Sequence, residues 1–296
     1  MKLLPGTSTT ELGMNIASNL KIPLLELEFK YFVSEETYLK INGSIKNQEI
    51  ILIQNTGPPQ EKNLMELLFI ASTLKELGAI KVHCVVPYLC YARSDKRRLT
   101  GEVTSHQITL DLIQKSGIDS LITANVHNSE IFLNTNEKLK KYDLDCTQLL
   151  IAKLEQAKEK NWFIIGLDKG RYNEVRNIAQ KLSKPFDTLD KYRDPHTHKV
   201  SVQDTGFDCE DKDLVLVDDE ILSGGTVFAA IEILKKKNPA SITYFCVHAL
   251  AKMEVFDKMK KVGISDIVST NTIPREDIEQ LDISSLLSEF IEKEFL

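Results

Sequence analysis

Residues 214–226, LVLVDDEILSGGT, set an apolar run, two adjacent carboxylates and a Ser-Gly-Gly-Thr loop in immediate succession. Val215, Leu216 and Val217 have the pattern of a strand buried on both faces, and from Thr226 the apolar positions Val227, Ile231 and Leu234 take up a helical period. The loop therefore joins a strand's carboxyl end to a helix. That junction offers backbone N–H groups and the positive end of a helix dipole, which accept a phosphate dianion without a lysine. Gly224 and Gly225 allow close approach of the backbone. Asp218 and Asp219 would repel a phosphate, but carboxylates accept hydrogen bonds from sugar hydroxyls or hold a metal. A phosphate together with a diol describes a ribose 5-phosphate. Simple capping of a turn would explain a bare Gly-Gly pair; it explains the whole run from Asp218 to Thr226 less well.

The segment resembles the ribose-phosphate binding loop of type I phosphoribosyltransferases, with Ser223 where threonine is usual. The hydroxyl is kept. The loop alone fits both an enzyme that consumes phosphoribosyl pyrophosphate and one that makes it. Residues 87–102, PYLCYARSDKRRLTGE, help to decide, because Arg93 stands beside Tyr88 and Tyr91 after an apolar strand pattern, where a guanidinium can fork two phosphate oxygens. PYxxYAR followed by an acid, basic residues and Gly-Glu resembles the ATP-binding segment of the ribose-phosphate pyrophosphokinase family, also called phosphoribosyl pyrophosphate synthetases. By that resemblance Arg93, Ser94 and Asp95 contact ATP.

Four further segments carry the resemblance. Residues 124–132, ANVHNSEIF, match an Asp-x-His pattern that makes His127 a magnesium-site residue, with Asn125 in place of the Asp. Residues 166–174, GLDKGRYNE, are similar to the pyrophosphate loop, in which Asp168 binds magnesium; Leu167 replaces a proline, and Lys169 and Arg171 add positive charge. Residues 190–199, DKYRDPHTHK, match a loop whose Lys191 and Arg193 close over ATP and stabilise the transferring phosphates. A closing loop suits such cations, since excluding water strengthens their field. Residues 32–36, FVSEE, resemble a segment whose Phe and Glu, here Phe32 and Glu36, reach the adenine of ATP on a neighbouring subunit; Ser34, also assigned to the ATP site, and Glu35 stand for Asp and Gly.

These loops need strands and helices to hold them. Apolar periodicity predicts a helix over 8–20 with a Ser8–Glu11 capping box, strands at 24–29, 38–41 and 49–54, and a helix over 62–77. A strand at 80–87, a helix at 104–115 and a strand at 120–124 follow. The alternation then repeats: helix 146–158, strand 162–167, helix 171–182, strand 186–189, the strand from Leu214, the helix from Thr226, strand 241–248 and a helix from Lys252. Ile283 to Phe295 reads as a final amphipathic helix. The pattern is α/β with mostly parallel sheets flanked by helices, in two tandem domains, 1–147 and 148–296. The resemblance makes both phosphoribosyltransferase-like, the first serving ATP and the second ribose 5-phosphate.

Composition narrows the class. At 296 residues the chain has room for about two cores, and 42% hydrophobic with 27% charged residues is ordinary globular usage. A net charge of −6 argues against nucleic-acid or anionic-membrane partners. Cys84, Cys90, Cys146, Cys209 and Cys246 are scattered on apolar patterns and read as reduced thiols, and no run is long enough to span a membrane, so a cytoplasmic protein is expected. The resemblance implies ATP plus ribose 5-phosphate giving phosphoribosyl pyrophosphate and AMP, with Mg²⁺, in a homodimer or higher homo-oligomer. Two other readings are a phosphoribosyltransferase, which needs only one such domain, and a non-catalytic homologue acting as a regulatory or assembly subunit, suggested by Ser34, Glu35, Ser94 and Asn125.

Overall fold

The structure, a computed structural model, describes residues 1–296 except 98, 158, 194–199 and 204–205, and describes 191–193 and 200–203 by backbone alone. The chain forms two compact units, Met1–Asp145 with Ile283–Leu296, and Cys146–Asp282.

The first unit contains β1 (Lys2–Pro5), α1 (Thr10–Leu20), β2 (Glu26–Tyr31), β3 (Thr37–Asn42), β4 (Glu49–Ile53), α2 (Gln60–Glu76), β5 (Lys81–Val85), α3 (Ser105–Lys115), β6 (Ser120–Ala124), α4 (Ser129–Asn134) and β7 (Lys140–Leu144). Its sheet has the order β1-β4-β5-β6-β7 with every pair parallel. Continuous apolar runs, Ile50 to Ile53 among them, are fully buried, as a sheet covered on both faces demands. β2 and β3 form a separate antiparallel hairpin with aromatic side chains left exposed. The Ser8–Glu11 capping box does not form. α1 starts at Thr10, and the hydroxyls of Ser8 and Thr9 instead donate to the carbonyls of Asn55 and Ile53, tying the helix entry to the end of β4.

The second unit contains α5 (Thr147–Glu155), β8 (Trp162–Gly166), a 3-10 turn (Lys169–Arg171), α6 (Tyr172–Leu182), β9 (Phe186–Thr188), β10 (Asp190–Arg193), β11 (Val200–Gln203), β12 (Asp213–Ile221), α7 (Gly225–Leu234), β13 (Ser241–Ala249), α8 (Met253–Lys261), β14 (Asp266–Thr270) and β15 (Glu279–Leu281). Six strands pair in parallel in the order β15-β14-β13-β12-β8-β9. The chain leaves β8 towards β9 on one side and returns as β12 on the other, so strand order reverses between β8 and β12. In open α/β sheets that is where a crevice opens at the carboxyl edge. The core packs Phe163, Ile165, Leu214, Leu216 and Tyr244 of the sheet against Val227, Ile231 and Leu234 of α7 and Phe256 of α8.

The division falls between Asp145 and Cys146, and residues 283–296 belong to the first unit rather than to the second as expected. Their helix, α9 (Ser284–Phe295), packs on α1, with Asn19 Nδ2 donating to Ser288 Oγ at 3.2 Å. Its end stacks Phe295 on His83 of β5, and Phe290 meets Tyr142 of β7 edge-on. The five cysteines are all free and buried.

Candidate active site

In the second unit the two strands flanking the reversal deliver their chemistry side by side. Val217 pairs with Gly166, and the Leu167 N–H donates to the Val217 carbonyl at 3.3 Å, so Asp168, just past the end of β8, comes beside Asp218 of β12. Asp218 and Asp219 do not follow the strand, as the sequence pattern implied; β12 continues through Ile221, which pairs with Ala249. Their backbone is thereby fixed by the sheet. Asp219 is 7% exposed and Asp218 half-buried. The Asp219 N–H donates to Asp218 Oδ1 and the Glu220 N–H to Asp219 Oδ1, each at 3.0 Å.

The loop from Leu222 to Gly224 then turns into α7. Gly224 has φ 73°, and a Cβ there would lie 2.8 Å from the Phe228 ring and 3.0 Å from Val255 Cγ1. Only glycine meets both demands. A Cβ on Gly225 would find nothing closer than Ser223 Oγ at 3.8 Å, so that side of the loop is open. Ser223 is exposed and Thr226 half-buried, and among the described residues no side chain caps the start of α7. The helix N-terminus can therefore receive an anion.

On the other side of the crevice, Asp168 Oδ1 accepts the Gly170 N–H at 2.9 Å and starts the 3-10 turn. Lys169 leaves it to pair with Asp190 at 2.6 Å, at the base of the β10–β11 hairpin. Arg171 points back. Its guanidinium donates to Glu174 Oε2 at 3.1 Å and stands 3.7 Å from Asp219 Oδ2. Burial lowers its pKa, but Asp219, Glu174, Asp218 and Asp168 together outweigh that and raise it. Lys191 and Arg193 lie in β10, a strand rather than the polar loop expected, and their side chains, with most of the expected closing loop, are outside the described residues.

In the first unit the loop after β5 carries Arg93, Ser94 and Asp95, and it is held from below. The Tyr88 N–H donates to Asn55 Oδ1 at 2.8 Å, the Cys90 N–H to Thr56 Oγ1 at 2.8 Å, and the Tyr91 hydroxyl to Glu61 at 2.9 Å. Ser94 Oγ donates to the Val103 carbonyl at 3.0 Å, closing the base of the loop, while Arg93 is exposed. Under that base lies His106, 2% exposed, whose ring nitrogens have no hydrogen-bond partner and whose backbone N–H donates to the Ser94 carbonyl at 3.2 Å.

After β6, Asn125 has φ 42°, a conformation that asparagine tolerates better than most residues, which gives that position a backbone reason for its identity. His127 is half-buried, and Asn128 Oδ1 caps α4 by accepting the Ile131 N–H at 3.1 Å. The turn rests on Asp143 of β7, whose carboxylate accepts the Val126 N–H at 2.9 Å. Burial pushes the Asp143 carboxyl up to about 6, against the lowering effect of its hydrogen bonds from Val126 and Ser129.

At the tip of the hairpin the Phe32 N–H donates to the Glu36 carbonyl at 2.9 Å and Ser34 Oγ to Glu36 Oε2 at 3.0 Å. Glu35 takes φ 67°, which explains why glycine suits its place. Phe32, Tyr38, Met65 and Phe69, with Glu36 and Lys62, line a groove of about 590 Å³. Phe32 is 47% exposed.

Of the residues expected from sequence, Asp168, Asp218, Asp219 and the 223–226 loop come together where strand order reverses between β8 and β12 of the second unit. Arg93 to Asp95, His127 and the hairpin residues stand on three separate features of the first unit. The sequence reading gave Arg171 no partner and passed over Glu174, His106 and Asp143, whose roles depend on neighbours far away in sequence.

Comparison with known proteins gives the family and the fold. Residues 1–117 match the family model for the N-terminal domain of ribose phosphate pyrophosphokinase, and residues 136–276 the model for the phosphoribosyl transferase domain. The ribose-phosphate pyrophosphokinase of Saccharolobus solfataricus is 30% identical over 97% of this chain and 99% of its own. That of Sulfolobus acidocaldarius is 32% identical over 93% and 94% of the two chains, and that of Methanobrevibacter smithii 33% over 92% and 93%. The crystal structure of phosphoribosylpyrophosphate synthetase from Mycobacterium smegmatis superposes with a TM-score of 0.89 at 22% identity, covering 99% of this chain and 98% of that one, and so shares the fold.

Proposed function

The chain belongs to the ribose-phosphate pyrophosphokinase family, and from that premise we propose that it joins ATP and ribose 5-phosphate to give phosphoribosyl pyrophosphate and AMP. The observation that carries the reading is the junction of β8 and β12, where the buried Asp219 and the half-buried Asp218 stand beside an uncapped helix N-terminus. That pairing suits a sugar bearing both hydroxyls and a phosphate.

In this reading the backbone from Ser223 to Thr226 holds the 5-phosphate, and Asp218 and Asp219 accept hydrogen bonds from the ribose hydroxyls. The anomeric oxygen attacks the β-phosphorus of ATP. A bond forms between them, the bond from the β-phosphorus to the oxygen that bridges it to the α-phosphorus breaks, AMP leaves with that oxygen, and the hydroxyl proton passes to solvent. Such a transfer calls for little covalent help from protein and much alignment and charge stabilisation. Arg93, Ser94 and Asp95 position the phosphates of ATP, and Lys191 and Arg193 stabilise the charge that spreads over the diphosphate in the transition state.

Magnesium fits the donors present. Asp168 offers a carboxylate oxygen, the donor Mg²⁺ prefers, with phosphate and water completing the shell, while an imidazole such as His127 suits a water-mediated contact better than direct ligation. Bound at Asp168, the ion would neutralise phosphate charge.

The hairpin suggests assembly. Phe32 and Glu36 stand out from the first unit with aromatic surface exposed, and adenine needs such a face, so they complete the ATP site of a second copy in a homodimer or larger homo-oligomer. The buried thiols suit the cytoplasm, and among the described residues no helix is long and apolar enough to cross a membrane.

Phosphorus NMR of the purified protein with Mg-ATP and ribose 5-phosphate tests the reaction. AMP and phosphoribosyl pyrophosphate are expected in equal amounts. Release of ADP, or no turnover with several divalent metals, contradicts the reaction, the latter in favour of a non-catalytic homologue.

A further inference from the structure

At the base of the nucleotide loop the protein buries an imidazole and gives it nothing to bond. His106, in the first turn of α3, is 2% exposed, and neither ring nitrogen has a hydrogen-bond partner. Such a group costs stability in the free protein, so its place calls for a partner or a charge supplied later. Its backbone is locked to the loop. The His106 N–H donates to the Ser94 carbonyl at 3.2 Å, the Ser105 N–H to Ser94 Oγ at 3.3 Å, and Ser94 Oγ to the Val103 carbonyl at 3.0 Å. The ring also lies against Phe132 of α4, with centroids 6.2 Å apart.

Among the described residues two charges act on it, with opposite signs. Asp95 of the loop favours the imidazolium, and Lys141 of β7 opposes it. Lys141 is fixed in place, because its ammonium donates to the carbonyls of Thr135 and, at 2.8 Å, Asn136. α4 contributes the apolar Phe132 ring, and α3 the positive end of its own dipole, which also disfavours a cation. Burial is the largest influence and pushes the imidazole below its ordinary value, so His106 is neutral in the free protein at neutral pH. ATP alters this balance. Its phosphates at residues 93–95 add negative charge next to a poorly solvated ring, where charges interact far more strongly than in water. The same phosphates are repelled by Asp95, and an imidazolium beneath the loop offsets that repulsion.

We infer that His106 is a positioning residue of the nucleotide loop that takes a proton from solvent when ATP binds and thereby neutralises Asp95. Binding that raises the pKa of the imidazole takes up a proton, so ATP binds more tightly as pH falls through the histidine range, and the gain vanishes at higher pH. The inference rests on the assignment of residues 93–95 to ATP.

The test is calorimetric titration of Mg-ATP into the full chain from about pH 8 to about pH 5.5, in two buffers of different ionisation enthalpy so that proton uptake is counted. Wild-type protein is expected to take up a fraction of a proton that His106→Gln does not. The ratio of wild-type to His106→Gln affinity should rise about threefold or more from the top of that range to the bottom. Taking the ratio cancels the titration of the nucleotide and of other histidines such as His127, and a side chain that only fills space would leave the ratio constant. Asp95→Asn should reduce the uptake, because it removes the acid that favours the imidazolium. Ribose 5-phosphate, titrated in the same way, should show no uptake that depends on His106.

Equal proton uptake by wild type and His106→Gln, or an affinity ratio that does not change with pH, overturns the inference and leaves the assignment of ATP to the loop standing. Undiminished uptake in Asp95→Asn overturns it as well, as does uptake that depends on His106 when ribose 5-phosphate binds. No binding of Mg-ATP by wild type, or an affinity that Arg93→Ala leaves unchanged, overturns both. Thermal melts at each pH show whether His106→Gln is folded. If it is not, nitrogen NMR of the His106 ring in wild type with and without Mg-ATP decides, and a pKa that the nucleotide does not raise overturns the inference.

Discussion

The two units are built alike, each a parallel sheet with helical connections, yet they handle chemistry differently. In the first, the strands run β1-β4-β5-β6-β7 and their order never reverses. In the second, order reverses between β8 and β12, and the residues read as binding ribose collect there with Asp168, one of the two read as holding metal. The reversal sets two strand ends side by side with their following helices on opposite faces, so a crevice comes with the topology. Without a reversal the first unit relies on a long loop pinned by Asn55, Thr56 and Ser94, and on a hairpin that stands away from the sheet. On the proposed reading, rigid backbone serves the sugar and side-chain scaffolding serves the nucleotide.

The largest expected effect would break the comparison if it failed, because it assigns transition-state work to the second unit. Lys191→Ala should lower kcat by about a hundredfold or more, near 3 kcal/mol, with little change in the KM for ribose 5-phosphate. Steady-state kinetics checks this, and a change confined to KM would contradict it.

A smaller effect sharpens the contrast between rigid and scaffolded loops. Gly224→Ala must accept φ 73° and a contact of 2.8 Å with Phe228, whereas Gly101→Ala, at φ 90° in the loop of the first unit, meets nothing within 4 Å. Chemical denaturation should show a loss of about 2–3 kcal/mol for the first and about 1 kcal/mol for the second. Equal losses would mean that the two loops are equally constrained.

The smallest concerns the first unit alone. Asp143 has a folded pKa of about 6 against 3.8 for a free side chain, so it favours the folded state most below 3.8, and that contribution is lost as pH rises through 6. Asp143→Asn keeps an acceptor for the Val126 N–H without the buried charge. It should be more stable than wild type above pH 6, by about 2 kcal/mol after allowance for solvent screening, and should show no such advantage below pH 4. Melting temperatures across that range give the sign.

Much of the architecture was legible because parallel strands buried on both faces leave unbroken apolar runs; strand 120–124 and the strand from Leu214 announce themselves that way. β1, β7 and α4 did not, being short and partly polar at the edges of the first unit. Ser8 and Glu11 have capping-box spacing, but the carbonyls at the end of β4 take the hydroxyls of Ser8 and Thr9, a tertiary competition that local spacing does not encode. Of the candidate site, the 223–226 loop was legible because it turns from strand to helix at Gly224, whose φ of 73° favours glycine. Arg171 read only as extra charge, since its partner Asp219 lies 48 positions away and is brought near by the pairing of β8 with β12. Asp143 matters for the same kind of reason, its hydrogen bond to Val126 crossing from β7 to the loop after β6.

The division of labour between the units is tested most directly by calorimetric binding of each substrate to two variants, Arg93→Ala in the first unit and Asp219→Asn in the second. Each truncates a charge-assisted contact, so a loss of about tenfold or more is expected at its own ligand. Arg93→Ala should lose affinity for Mg-ATP and keep it for ribose 5-phosphate, and Asp219→Asn the reverse. If Asp219→Asn instead weakens ATP while ribose 5-phosphate binds as before, the assignment of the sugar to the crevice between β8 and β12 is contradicted.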